Sequence, residues 1–252
     1  GFLSGQGQDA KEILAPLSWM SVIAIIMFMA LYTKDKLLVF LVFFAFLYLA
    51  IFGQWKSSMV TLSSIVIAVP VGVVIGLFLG ILSYKSEILE KIISPVLDLM
   101  QTIPVFAYLV PILVMFGFGP VAALIATIIY AMPPMVRTTL LALKSVNPQI
   151  KESGLMSGCT KRQLMWQVLI PVSKPTLMIG VNQVIMLSLN MVIIASMIGA
   201  GGLGYDVLAS LRRLNIGSGI ETGVAIVVLA IALDRLSQAF VNIKSERKKS
   251  DI

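Results

Sequence analysis

Seven apolar stretches, separated by short polar segments, constrain the fold of this chain more than any other feature. A helix crosses a bilayer with roughly 20 apolar residues, and it satisfies its backbone hydrogen bonds without water. Charged residues make up only 12% of the 252 residues, against about a quarter in soluble domains. We therefore expect an all-α integral membrane protein with about seven transmembrane helices, over Leu17–Tyr32, Leu37–Gly53, Met59–Leu82, Val96–Phe116, Val121–Val136, Thr176–Ile198 and Ile220–Val241.

These stretches divide into one membrane domain with an addition at each end. Residues 1–56 contain the first two predicted spans, which we interpret as peripheral N-terminal helices. Residues 57–241 contain a core of five helices and include a polar loop at 137–174. Residues 242–252 form a basic tail.

Positive charge is distributed unevenly over the predicted loops. Cytoplasmic loops of membrane proteins carry an excess of Lys and Arg. If the loop at 137–174 is cytoplasmic, most of the cations lie inside, and those that lie outside are Lys11, Lys56, Arg212 and Arg213. The predicted topology has the N-terminus outside and the C-terminus in the cytoplasm, because the opposite orientation would invert this excess.

The sequence lacks residues and motifs that several classes of enzyme and binding protein require. There is no histidine, which excludes a Ser-His or Cys-His catalytic pair, and the single cysteine, Cys159, cannot form an internal disulfide. No G-x-x-x-x-G-K-[ST] string is present, so the chain has no Walker-type phosphate loop. We expect no enzymatic activity, no metal and no cofactor in this chain. Its cations flank apolar spans, which favours lipid headgroups over nucleic acid as their partner.

Two glycine patterns have a structural and a functional interpretation. The string from Gly199 to Gly204 fits G-x-G-x-x-G, but it follows a predicted membrane span, whereas a dinucleotide site needs a preceding strand. We expect an outer loop there, or a re-entrant segment that lines a pathway.

The third span carries small residues at every fourth position, which favours either packing within one subunit or a dimer or gate interface. They are Ser64, Ala68, Gly72, Gly76 and Gly80.

The loop at 137–174 has the turn chemistry of two short helices. Asn147 followed by Pro148 indicates a capped helix start, and Gly158 suits a left-handed turn at a helix end. Thr160 with Gln163 predicts a capping box for the second helix, which we expect Pro171 to end. These two helices would form a compact knob that docks into a groove on a partner protein. The alternative is an amphipathic connector on the lipid surface.

A further signal in the knob is the spacing of Glu152, Ser153, Gly154, Gly158, Val168, Ile170 and Pro171. This spacing resembles the coupling-loop motif of ABC importer permeases, which is E-A-A, three residues, G, nine residues, then I-x-L-P. Ser153 and Gly154 stand where the motif has its two alanines.

Six further strings are specific to one group of proteins. They are L-M-Q-T-I-P-V-F-A-Y-L-V-P at 99–111, A-M-P-P at 131–134 followed by V-R at 136–137, G-V-N-Q at 180–183, M-V-I-I-A-S-M-I at 191–198, G-G-L-G at 201–204 and L-D-R-L at 233–236. Through these strings the chain resembles the glycine betaine/proline betaine branch of these permeases, from about Ser57 to Gln238.

The resemblance implies a type I importer fold in the bacterial inner membrane and a homodimer of permease subunits. It also implies two cytoplasmic ATPase subunits and an extracytoplasmic substrate-binding protein, with import of a betaine-like compatible solute by alternating access. A different class, an ion-coupled secondary carrier for a small zwitterion, would need coupling-ion groups in broken helices and usually an internal repeat, which we do not find in the sequence.

Polar residues within the spans are candidates for the translocation pathway, because hydrocarbon offers them no partners. The alternative for each is a hydrogen bond between helices. We expect Asp234, beside Arg235, to lie at the inner interface rather than to act as a proton site. The pathway candidates, which include one methionine, are Gln101, Thr102, Asn182, Gln183, Asn190 and Met197.

Overall fold

A computed structural model describes residues 36–250 of the chain. This part is helical and contains no strand, which confirms the predicted all-α class. Its nine helices are α1 Lys36–Ile51, α2 Trp55–Lys85, α3 Glu87–Thr102, α4 Val105–Phe116, α5 Pro120–Lys144, α6 Pro148–Met156, α7 Lys161–Ser196, α8 Gly202–Arg212 and α9 Ile216–Ser250.

Four helices of the described part are long and apolar enough to cross a membrane: α2, α5, α7 and residues Ile216–Ala239 of α9. The bent pair α3 and α4 makes a fifth if the two together are one crossing, and α1 is a shorter apolar helix. The predicted count of seven is therefore approximate. The first predicted span, Leu17–Tyr32, lies outside the described residues.

The predicted span Val96–Phe116 is wrong as a single helix. The chain bends by 103° between α3 and α4. Ile103 and Pro104 have extended backbone there, with ψ of 131° and 139°, because a proline ring disfavours the helical conformation of the residue before it. Lys144 Nζ lies 2.5 Å from Glu90 Oε1, and this ion pair ties α3 to α5.

The small-residue face of α2 packs against α5 within the same chain. A Cβ atom on Gly76 would lie 2.6 Å from Met135 Cβ, and one on Gly80 would lie 2.5 Å from Thr139 Cβ. Only glycine lets the two backbones come this close. Of the two interpretations, the contacts therefore support packing within one subunit.

The prediction that Pro171 ends the second knob helix is wrong. Helix α7 runs continuously from Lys161 to Ser196, through Pro171. Its residues 164–169 form a wider turn, in which the Ile170 N–H donates to Met165 O, five residues earlier. A wide turn of this kind moves the carbonyl groups that a proline ring would otherwise strike, so the helix continues.

Helix α8 is an element that the sequence did not predict. It begins at Gly202, directly after the glycine string, and Gly201 and Gly202 have positive φ of 68° and 76°. The Leu203 N–H donates to Thr61 Oγ1 of α2 at 3.0 Å, and a Cβ atom on Gly202 would lie 2.6 Å from the same oxygen. The glycines therefore bring the start of α8 against α2.

Helix α1 packs on the outside of the bundle, against α9. Leu38, Val42, Phe46 and Leu49 of α1 are buried in one apolar cluster with residues of α9. Leu229 of α9 belongs to the same cluster, and within lipid such a contact is stabilised by van der Waals packing of the side chains.

Candidate functional site

The two caps predicted for the knob are confirmed. The Asn147 side chain accepts from the Gln149 N–H at 2.9 Å at the start of α6. Thr160 and Gln163 form the reciprocal capping box, with Thr160 N donating to Gln163 Oε1 at 2.9 Å. Gly158 has a φ of 78°, so the turn between the helices is left-handed. Local hydrogen bonds thus fix the shape of the knob, which we define as residues 147–170.

Gly154 is the point at which the two helices of the knob meet. It is buried, and a Cβ atom there would lie 2.7 Å from Leu164 Cδ1 and 3.6 Å from Val168 Cγ2. Gly154, which stands where the motif has its second alanine, therefore lies at a close contact between the two helices. Ile170, also in the motif, packs against the apolar cluster below the knob.

The knob is fastened to the ends of two membrane helices. Met165 and Leu169 are buried in one cluster with Ile81 of α2 and Leu143 of α5. The Lys151 ammonium also lies 5.4 Å from the centroid of the Tyr84 ring, within cation–π distance. The knob is therefore packed against α2 and α5 and is continuous with α7.

The outer surface of the knob combines charge with exposed apolar side chains. Glu152 and Ser153 of the motif are exposed, and the Glu152 carboxylate makes no ion pair with any described residue. Leu155 is 52% exposed and Met156 89%. Such a mixed patch on a rigid support is typical of a protein interface.

Three of the predicted pathway residues share one face of α7 and of the turn that follows it, where Met197 comes directly after the last residue of the helix. Gln183, Asn190 and Met197 follow one another at intervals of seven residues, about two helical turns, and all three are exposed in the single chain. Met186 and Ile193 extend this face and are 50% and 37% exposed. We call this surface the amide face.

Asn182 lies apart from the amide face, in a polar cluster between α7 and α9. Ser237 Oγ donates to Asn182 Oδ1 at 2.9 Å, and Gln238 Nε2 donates to Asp234 Oδ2 at 2.7 Å. This hydrogen bond between helices agrees with the alternative interpretation of Asn182. Asp234 Oδ1 is buried without a hydrogen-bond partner among the described residues, and Arg235 is exposed.

Gln101 and Thr102 occupy the last two positions of α3, at the bend before Pro104. Both are exposed, and Thr102 Oγ1 donates to Leu99 O at 3.0 Å. The structure therefore places these two candidates on a different element from the amide face.

A polar pocket of about 270 Å³ lies at the opposite end of α2 from the knob. Helix α2 has 31 residues, which corresponds to about 45 Å of helix between the two ends. Asp206 and Arg213 contribute opposite charges to the pocket and make no ion pair within the described part. Sequence reasoning missed this pocket because one wall is α8. Its polar lining also includes Gln54, Ser57, Ser210, Asn215, Ser218 and Thr222.

Comparison with known proteins assigns the chain to a family. Residues 70–248, more than half of the chain, match the family described as "Binding-protein-dependent transport system inner membrane component". The glycine betaine/proline betaine transport system permease protein ProW of Escherichia coli (strain K12) is 48% identical over 187 residues, which are 74% of this chain and 53% of that protein.

Two further relatives show how the coverage varies. The glycine betaine transport system permease protein OpuAB of Bacillus subtilis (strain 168) is 36% identical over 98% of this chain and 88% of that protein. The trimethylamine N-oxide transport system permease protein TmoV of Pelagibacter ubique (strain HTCC1062) is 47% identical over 78% of this chain and 27% of that protein. The chain thus spans 27% of TmoV and 53% of ProW.

Two solved structures show the fold. A chain of the MetNI methionine ABC transporter, in an inward-facing conformation, aligns with a TM-score of 0.68 at 22% identity, over 75% of this chain and 95% of that chain. A chain of an amino acid ABC transporter aligns with a TM-score of 0.59 at 20% identity, over 74% and 90%. The helices are therefore arranged as in these two chains.

Proposed function

Since this chain belongs to the inner membrane components of binding-protein-dependent transport systems, we propose that it is the permease subunit of an ATP-driven importer. Its substrate is a small quaternary amine such as glycine betaine or proline betaine, the class named for its relatives ProW and OpuAB. The observation that carries the proposal is the knob, an exposed surface that packs against α2 and α5 and continues into the membrane part of α7.

A separate cytoplasmic ATPase is the partner proposed for the knob. The Glu152 carboxylate, which makes no ion pair among residues 36–250, offers a charge for a cationic group of the partner, and Leu155 and Met156 offer apolar contact. The apolar cluster below the knob joins it to α2 and α5, and the knob continues directly into the rest of α7. Movement of the ATPase subunits would therefore shift these helices together and alternate the access of the pathway.

A second copy of this chain is the partner proposed for the amide face. Gln183 and Asn190 are exposed in the single chain although they lie within a membrane span. Amide groups that faced lipid would have no hydrogen-bond partner, and placing an unpaired amide in hydrocarbon raises the free energy of the folded protein. In a homodimer the two amide faces would instead line a shared polar pathway for the solute.

The pocket at the other end of α2 supports docking of a substrate-binding protein. If the knob is cytoplasmic, this pocket lies outside, where Asp206 and Arg213 can pair with charges on a soluble protein. The Lys and Arg distribution supports the same orientation, with the N-terminus outside and the C-terminus inside.

Co-purification with the ATPase tests the proposed role of the knob. Glu152→Lys is expected to leave the permease in the membrane and to remove most of the associated ATPase, because the reversed charge repels the cationic partner. Glu221→Lys is the matched control, since Glu221 is also an exposed glutamate but lies on α9, near the other end of the bundle. Normal ATPase recovery with Glu152→Lys would argue against docking at this surface.

A further inference from the structure

A small cavity near the α8 end of the bundle has a polar lining that the transport function does not explain. Its volume is about 30 Å³, and it lies where α2, α5 and α7 meet, beside Gly201. Four hydroxyl groups line it, those of Thr61, Ser64, Thr127 and Ser188. The rest of the lining is apolar or glycine.

Two of these hydroxyls already donate their proton to a backbone carbonyl oxygen of their own helix. Ser64 Oγ donates to Val60 O at 3.2 Å, and Thr127 Oγ1 donates to Ala123 O at 2.9 Å. A hydroxyl oxygen has two lone pairs in addition to its proton. Ser64 and Thr127 can therefore each accept a further hydrogen bond from the side of the cavity.

The other two hydroxyls still have a proton available to donate in a hydrogen bond. Thr61 Oγ1 accepts from the Leu203 N–H at 3.0 Å, and no described group accepts its own proton. Ser188 is 1% exposed, and its Oγ has no hydrogen-bond partner among the described residues. Serine in a helix commonly donates to a carbonyl one turn earlier, as Ser64 does, but Ser188 does not.

Thr61 and Ser188 can therefore donate to an occupant of the cavity, while Ser64 and Thr127 can accept from it, and one water molecule can make all four of these hydrogen bonds. A buried hydroxyl without a partner costs about 1–3 kcal/mol, and a buried water typically makes 2–4 hydrogen bonds. A cavity of about 30 Å³ exceeds the roughly 10–15 Å³ that a single water requires. We infer that this cavity binds one ordered water molecule, which bridges α2, α5 and α7.

The same chemistry argues against a cation. No carboxylate lines the cavity, and the hydroxyls of Thr61 and Ser188 each have a proton to donate, which a cation could not accept. The water would also act on α8, because Thr61 holds the first turn of that helix. The water would therefore connect α2, α5 and α7 directly and α8 through Thr61, next to the glycine turn from Gly199 to Gly202.

A structure of the permease in lipid nanodiscs, at a resolution that shows ordered water, tests this inference. We expect one peak at about 2.7–3.0 Å from Ser188 Oγ and from at least two of the other hydroxyls. The peak should be lost or weakened in Ser188→Ala and in Thr127→Val. It should persist in Ser83→Ala, a buried serine that donates within its own helix, away from the cavity. No peak in the wild type, or a peak that requires added sodium, would overturn the inference.

Thermal unfolding of the same variants gives an independent answer. Ser188 and Thr127 make no hydrogen bond with each other. If a water links them, the double variant should lower the Tm by clearly less than the sum of the two single shifts, because either change already breaks the bridge. Additive shifts would contradict a shared water.

Discussion

Gly154 packs against Leu164 so closely that a Cβ atom at position 154 would lie 2.7 Å from Leu164 Cδ1. The clash is with the far end of a flexible side chain, so a single methyl group needs only a small movement of Leu164. Gly154→Ala should therefore be tolerated, and Ala also favours a helix by about 1 kcal/mol over Gly. Gly154→Leu should displace α6 from α7.

We expect Gly154→Leu to lose ATPase association and Gly154→Ala to keep it. Adding Leu164→Ala to Gly154→Leu should restore part of the association, because it vacates the space that the new side chain needs. Co-purification of the ATPase measures all three variants. Wild-type recovery with Gly154→Leu would show that the shape of the knob does not matter for docking.

The contact of α2 with α5 gives a prediction about stability. A Cβ atom on Gly80 would lie 2.5 Å from Thr139 Cβ and 2.9 Å from the Val136 carbonyl oxygen. The backbone cannot move aside as a side-chain end can, so Gly80→Val should destabilise the bundle by about 1–3 kcal/mol or more. Gly223→Val on α9 is the control, since nothing lies within 4 Å of a Cβ atom there. Equal Tm values for the two variants in detergent would contradict this packing.

The position of Cys159 tests the orientation. This single cysteine is half-buried in the turn of the knob. A membrane-impermeant thiol reagent should spare it in intact cells and label it in inside-out vesicles, with denatured protein as the control for reactivity. Labelling of sealed, intact cells would place the knob outside and reverse the topology.

The amide face predicts where changes slow transport. Asn190→Ala and Met197→Ala should each reduce the rate of betaine uptake without changing which betaine is selected, because selection belongs to the binding protein in this account. Val227→Ala, an exposed apolar position on α9, should have no such effect. Uptake of labelled glycine betaine, with and without proline betaine as competitor, measures both properties. Unchanged rates in both amide-face variants would remove this face from the pathway.

Features set by local chemistry could be predicted from the sequence. The Asn147 cap, the Thr160 and Gln163 capping box and the left-handed Gly158 depend on neighbours within a few residues, and each is found as predicted. The small-residue spacing on α2 predicted a close helix contact, although it did not tell which helix lies opposite.

Features that depend on distant contacts could not be predicted. Pro171 predicts a helix end by its own chemistry, but the wide turn before it lets α7 continue. Helix α8 follows a glycine-rich string and is held by Thr61, which lies 142 positions earlier in the chain. Likewise, only the fold shows that Asn182 meets Ser237, whereas Gln183 faces away from the bundle.

Uptake of labelled glycine betaine into vesicles that contain the purified permease tests the central claim most directly. We expect uptake only when the binding protein, the ATPase and ATP are all present, and no uptake when any one of them is omitted. ATP-independent uptake by the permease alone, driven by a sodium or proton gradient, would contradict the importer and identify an ion-coupled secondary carrier.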